Sequence, residues 1–210
     1  MMKRLAILLF IGTVSMSQAV EPGRWGIAVQ GGSSMPTGSL ANWFKPGATV
    51  SLQLGQQYDA HWYLQALLEH SRYDRENLSG YAKDKLALEL THTALQFSGR
   101  YGLPRLGFIH PQMQLAAGLL YWRGVRGAVA AAPALGLPDI EEKVLQEYNW
   151  CFSLGLCLET FLNRSLSLDA SFGYRFVVGD LYPTMQPSIE LEGVSGFQTL
   201  NAGLGIRYYF

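Results

Sequence analysis

A nucleophile within reach of a base is the simplest arrangement that does chemistry, and two neighbouring pairs offer one, His70-Ser71 and His92-Thr93. Both pairs sit in stretches where apolar and polar residues alternate, and adjacent residues of a strand point to opposite faces. Neither imidazole can therefore take a proton from the hydroxyl beside it. Carboxylates gather at Asp139, Glu141 and Glu142, and again at Glu190 and Glu192. Such groups can serve carboxylate-dependent hydrolysis or hold Ca²⁺, but solvated loop charge is the commoner use. Asp139 to Glu142 also has the spacing of a helix capping box, which predicts a short helix there. His61, His70, His92 and His110 show no zinc-ligand spacing. Cys151 and Cys157 lie six residues apart on an alternating segment, about 20 Å at ~3.3 Å per residue. A disulfide needs Cα atoms within about 7 Å, so both are expected to be shielded free thiols. These residues predict no catalytic site, no metal and no cofactor.

The elements that carry them belong to a chain of 210 residues, 49% hydrophobic, 12% aromatic and only 15% charged. Sixteen Lys+Arg balance 16 Asp+Glu, so there is no basic field to gather nucleic acid. Lys3 and Arg4 precede a short apolar run, Leu5 to Val14, and Ser17-Gln18-Ala19 supplies a small-x-small cleavage site. Residues 1–19 read as a bacterial-type secretory signal peptide, and the apolar run is too short to span a bilayer. Without Lys3 and Arg4, 14 basic residues face 16 acidic ones, a net charge of about −2. Residues 20–210 read as one exported domain.

In that domain period two dominates. Trp25, Ile27 and Val29 alternate with Gly26 and Ala28; Val50, Leu52 and Leu54 with Ser51 and Gln53; Leu166, Leu168, Ala170, Phe172, Tyr174 and Phe176 with Ser167, Asp169, Ser171, Gly173 and Arg175. Eight such strands can be counted. Connections alternate in length: short near 57–61, 102–107 and 162–165, long near 32–46, 74–85, 124–147 and 179–196. An even number of strands, short turns at one end and long loops at the other predict an all-β, eight-stranded antiparallel up-and-down transmembrane β-barrel.

The facing of the side chains argues for the membrane. The apolar face carries Trp, Leu, Phe and Tyr, whereas the other face carries Gly, Ser, Thr, Gln and a few charges. An eight-stranded lumen is just wide enough for side chains, so the small and polar residues belong inside. Trp25, Trp62, Tyr101 and Tyr208 fall near the short-turn side, and Tyr121, Trp150 and Phe176 near the long-loop side, as two interfacial girdles. The parity also turns Arg24, Glu69, Arg100, Glu159, Asp169, Arg175 and Arg207 inward. Charges out of water must pair, which predicts a salt-bridge and glutamine network filling the lumen; a charged path for a small solute is the sharper alternative. One strand breaks the rule. Leu86, Leu88 and Leu90 hold the apolar parity at its start and Leu95, Phe97 and Tyr101 hold the opposite parity later. Either a bulge between Thr91 and Ala94 repairs the register, or the strand begins above the membrane, where facing is free.

Further marks are a Gly-rich opening strand followed by Pro36-Thr37-Gly38, His110-Pro111 entering a strand with Ala116-Ala117-Gly118, and a last strand Gly203-Leu204-Gly205-Ile206-Arg207-Tyr208-Tyr209-Phe210. On these the chain resembles the small outer-membrane β-barrel family, the OmpA-like transmembrane or opacity-type porin-fold group. The resemblance implies a place in the cell outer membrane. It implies that Gly205, Tyr208 and Phe210 form a C-terminal signal for the barrel assembly machinery. Periplasmic chaperones, outer-membrane lipid and lipopolysaccharide are the implied partners. No peptidoglycan-binding domain is expected after Phe210. The function expected is non-enzymatic, with the barrel as anchor and loop aromatics Trp43, Phe44 and Tyr182 making surface contacts. A narrow pore for small solutes, or a lipid A-modifying barrel enzyme, are the alternatives.

Overall fold

The computed structural model describes residues 21–74, 88–128, 141–178 and 197–210. The predicted signal peptide, Asp139, Tyr182, Glu190 and Glu192 lie outside them. The described residues form eight strands, β1 Trp25–Thr37, β2 Gly47–Gln57, β3 Trp62–Tyr73, β4 Leu88–Gly102, β5 Ile109–Arg126, β6 Lys143–Phe161, β7 Leu166–Val178 and β8 Gln198–Tyr209. Each pairs antiparallel with the next and β8 returns to β1, which closes the barrel. At the seam Phe210 and Trp25 exchange backbone hydrogen bonds, N–H to O at 2.9 and 3.2 Å. Closure leaves no free sheet edge, the condition for burying a sheet in hydrocarbon.

Local chemistry fixes the short turns. The Asp59 carboxylate accepts backbone N–H groups of His61 and Trp62 at 2.7 and 2.8 Å; these bonds hold its carboxyl below the usual carboxylate range. Asn163 does the same for Ser165 and Leu166 at 2.8 and 2.9 Å, the way Asx side chains set a turn. Close backbone packing explains two glycines. A Cβ on Gly118 would lie 2.0 Å from the Leu95 carbonyl oxygen, and one on Gly205 would lie 2.3 Å from the Val29 carbonyl oxygen and from Gln30 Cγ.

Several elements differ from the sequence reading. β1 runs on to Thr37, so the first long connection begins at a 3-10 helix, Gly38–Asn42, rather than at residue 32. β5 and β6 are 18 and 19 residues long and stay paired out to Arg126 and Lys143. That ladder takes up the residues after Glu142, and no helix follows the predicted capping box: Glu141 and Glu142 lead straight into the strand. β4 pairs without interruption with both neighbours, from Trp62 with Tyr101 to Tyr73 with Leu90, and from Gly102 with Gln112 to Leu88 with Arg126. There is no bulge. Leu88 and Leu90 face inward together with His92, Ala94 and Gln96.

The register orders the outer surface in rungs. Leu68, Leu95, Leu119, Trp150 and Val178 are successive partners across β3 to β7 and all point outward, exposed. The next rung toward the long loops is His70, Thr93, Tyr121 and Tyr148; the one beyond is Arg72, Thr91, Arg123 and Gln146. Below, the belt continues through Phe97, Leu115, Phe152, Leu154 and Phe172. A continuous apolar belt of this kind is a liability in water and is what lipid-facing barrel walls present.

Candidate functional site

The lumen is the place where the polar side chains converge, and it has two storeys. In the storey toward the short turns, Arg100 from β4 and Arg207 from β8 both donate to Asp169 Oδ2 of β7, at 2.6 and 2.8 Å. The same two guanidiniums share Gln53 Oε1 of β2, at 3.0 and 2.8 Å. Glu159 of β6 accepts from Ser167, Tyr209 and Gln112 at 2.6, 2.7 and 2.8 Å, with Arg207 Nε 4.0 Å away. Higher up, Arg175 of β7 grips Glu69 of β3 with two parallel bonds of 2.6 and 2.8 Å across the lumen, the fork geometry that makes such pairs strong. Three buried guanidiniums thus meet three buried carboxylates. Opposite walls are tied together, so deleting one partner would strand a charge at a cost of about 3–5 kcal/mol.

Six of the seven inward charges named from the sequence come together here. Arg24 does not join them. It sits half-buried at the short-turn rim, donating to the carbonyls of Arg164 and Tyr209 at 2.8 Å each. The sequence reading missed two aromatics that complete this storey: Arg207 stacks 4.6 Å from the Tyr63 ring centre, and Tyr209 binds Glu159. Both carry polar-face parity, a signal hidden by the outward Trp62 and Tyr208 beside them. Within this ionic storey, between the Asp169 tier and the Glu69–Arg175 pair, lies a small chamber of about 60 Å³ lined by Gln30, Gln96, Gln114, Ser171 and Asn201 among others. That is room for a water or two.

Toward the long loops the interior turns apolar. Leu40, Phe44, Tyr73, Leu88, Leu90, Leu120, Trp122, Val177 and Phe197 pack into one buried cluster with Cys151. Phe44 is therefore not the exposed contact residue expected of it: it is 4% exposed and its ring lies 6.3 Å from that of Tyr73. The cause is the 3-10 turn. The N–H groups of Trp43 and Phe44 both bond to the Leu40 carbonyl at 3.1 Å, folding the connection over the lumen, and Trp43 packs half-buried on the same cluster. Both cysteines are free and buried, Cys151 in this cluster and Cys157 donating to Gln114 below, at 3.0 Å.

His70 faces out while Ser71 faces in, and His92 faces in while Thr93 faces out. Across strands, however, His70 Nδ1 meets Thr93 Oγ1 at 3.0 Å, a base beside a hydroxyl on the outer wall with no carboxylate bonded to the imidazole among the described residues. Those residues also hold no group of three His, Cys, Asp or Glu placed for a metal. Of the predicted assembly signal, Tyr208 and Phe210 point outward with rings stacked 6.4 Å apart, and Gly205 faces the lumen against Gln30.

The barrel geometry has counterparts among solved structures. Neisserial surface protein A matches 89% of this chain and 97% of its own at a TM-score of 0.52 and 14% identity. A major outer membrane protein from Thermus thermophilus matches 89% and 99%, at 0.54 and 14%. The attachment invasion locus protein Ail of Yersinia pestis matches 90% and 99%, at 0.51 and 11%. The fold is that of a small outer-membrane barrel. No protein-family model and no curated protein matches the chain in sequence, and identities this low speak for the fold alone.

Proposed function

We propose that this chain is an exported, non-enzymatic integral protein of the outer membrane whose barrel is an anchor and whose long-loop end meets the surroundings. One observation carries the reading: the outer wall is an apolar belt while the lumen is closed by paired ions beneath a packed apolar cluster. A barrel filled in this way supports no through-going path, which weighs against the narrow-pore alternative. Outer-membrane lipid and lipopolysaccharide then contact the wall and its loop-side rim. Export through residues 1–19, escort by periplasmic chaperones and recognition of Gly205, Tyr208 and Phe210 by the barrel assembly machinery complete the proposal. Of the two expected loop contacts within the described residues, only Trp43 retains partial exposure.

Refolding residues 20–210 in detergent and comparing the gel mobility of boiled and unboiled samples tests it, with planar-bilayer recording on the same material. The expected result is a clear mobility shift and no steady conductance. Equal mobility, with solubility in the absence of detergent, would sink the membrane reading; steady single-channel steps would favour the pore. The enzymatic alternative has the His70–Thr93 pair in its favour. A changed lipid A mass profile on expression, abolished by His70→Ala, would support it.

A further inference from the structure

His92 is the one inward polar side chain of β4 that meets nothing polar. It is 1% exposed, and neither ring nitrogen has a hydrogen-bond partner among the described residues. Tyr73 and Phe197 flank it with ring centres 5.1 and 4.9 Å away, and Trp122 lies against Phe197 at 5.4 Å. The polar ends of these neighbours are turned elsewhere: the Tyr73 hydroxyl donates to Ser34 at 2.6 Å, and the Trp122 indole N–H to Asn149 at 2.8 Å. An orphan imidazole in a packed interior is a standing cost, and buried polar groups in native proteins are nearly always satisfied.

A proton would make that cost far larger. The imidazolium has two N–H donors and no acceptor of its own, and a buried charge without a partner is not tolerated. Among the described residues, the titratable groups turned inward at this level are Tyr73 and Glu69 of β3, Cys151 of β6 and Arg175 of β7. β5 contributes Leu120 and Trp122, and Phe197 precedes β8, none of them titratable; His70 of β3 lies on the outer face. Arg175 carries the same sign as the imidazolium. Glu69 is held by Arg175 through both oxygens, and Cys151 accepts from Gln96 at 3.2 Å. Among the described residues no acceptor is free for the charged ring, and its way out leads toward the loop end.

We propose that His92 makes the loop-end cluster an acid-operated plug, in which proton uptake by the imidazole opens the cluster to water while the ion-paired storey beneath stays shut. The proposal does not depend on what the loops bind.

The two free cysteines report on the two storeys. In refolded residues 20–210, Cys157→Ser leaves Cys151 as the only thiol, and Cys151→Ser leaves Cys157. Each is reacted with 4,4′-dithiodipyridine, which reports on thiols in acid, from about pH 7.5 to about pH 4.5, the range around the histidine titration. Rates are normalised to the urea-unfolded chain at each pH, and heat-modifiable mobility certifies folding. Cys151 is expected to react faster as pH falls, by up to about tenfold per pH unit for one linked proton. His92→Phe should flatten that rise, as should His92→Gln, which cannot charge and serves if the Phe variant fails to fold. Cys157 should stay slow throughout. A Cys151 rate indifferent to pH, or one that climbs as steeply without His92, overturns the proposal. Equal acceleration at Cys157 also overturns it, because the whole lumen would then be loosening.

Discussion

The two storeys of the lumen are made by the same strands and the same alternation, yet one is filled with ions and the other with leucine and aromatic rings. Their outer walls explain the difference. Where Arg100, Asp169 and Glu159 face inward, the outer wall is the apolar belt. Where Leu90, Tyr73 and Trp122 face inward, the outer wall carries Arg72, Thr91 and Arg123. The protein is inside out through the belt and turns right side out at its upper edge. Crossing that edge needs no bulge, since β4 keeps its register; only the choice of residue on each parity changes. In a lumen this narrow either filling must be closed on itself, ions by pairing and apolar groups by packing.

If that contrast is sound, the ionic storey should respond most to losing one member. Asp169→Ala leaves Arg100 and Arg207 without their shared carboxylate, and we expect a loss of about 3–5 kcal/mol, read as the shift of the urea midpoint of the refolded barrel in lipid vesicles. Leu120→Ala removes a fully buried side chain from the plug, with an expected loss of about 2–3 kcal/mol by transfer and cavity in the same assay. A larger effect at Leu120 than at Asp169 would reverse the ranking of the storeys. Smallest is the short-turn rim, outside both. The Asp59 carboxyl is held down in the folded state, so its contribution is present above the ordinary carboxylate range and fades as pH falls through its folded value. Asp59→Asn should thus lower the midpoint slightly near neutral pH and flatten its decline in acid, without moving either cysteine reactivity.

Much of the ionic storey was legible beforehand because a charge on a strand that alternates with Trp and Leu has a single place to go. Glu69, Arg100, Glu159, Asp169, Arg175 and Arg207 could be named from parity alone, though their pairing could not. Arg24 shows the limit: parity set its face, but its position before the first strand put it at the rim. The plug was illegible for a different reason. Its members come from strand ends, where the rule of facing reverses, and from connections such as Leu40, Phe44 and Phe197, where no periodicity speaks. An aromatic in a polar connection reads as a surface contact; folded back by one 3-10 turn, Phe44 becomes core. The length of β5 and β6 was missed because beyond the belt both faces mix polar and apolar residues, Tyr121, Arg123, Val144 and Gln146 outward and Trp122, Leu145, Glu147 and Asn149 inward, so no clean alternation marks the strands.

That extra length sets how far the molecule reaches. From Leu119, on the rung with Leu95 and Trp150, the paired hairpin continues to Arg126, a rise of about 20 Å along the strand at ~3.3 Å per residue. On the β1 side, the first connection leaves its strand at Thr37 and folds inward. Among the described residues the rim is therefore uneven, with a stiff mast at β5 and β6 and a strand end that folds inward at β1. A large body that meets the mast would lose little of its binding energy to ordering a segment that the sheet has already made rigid.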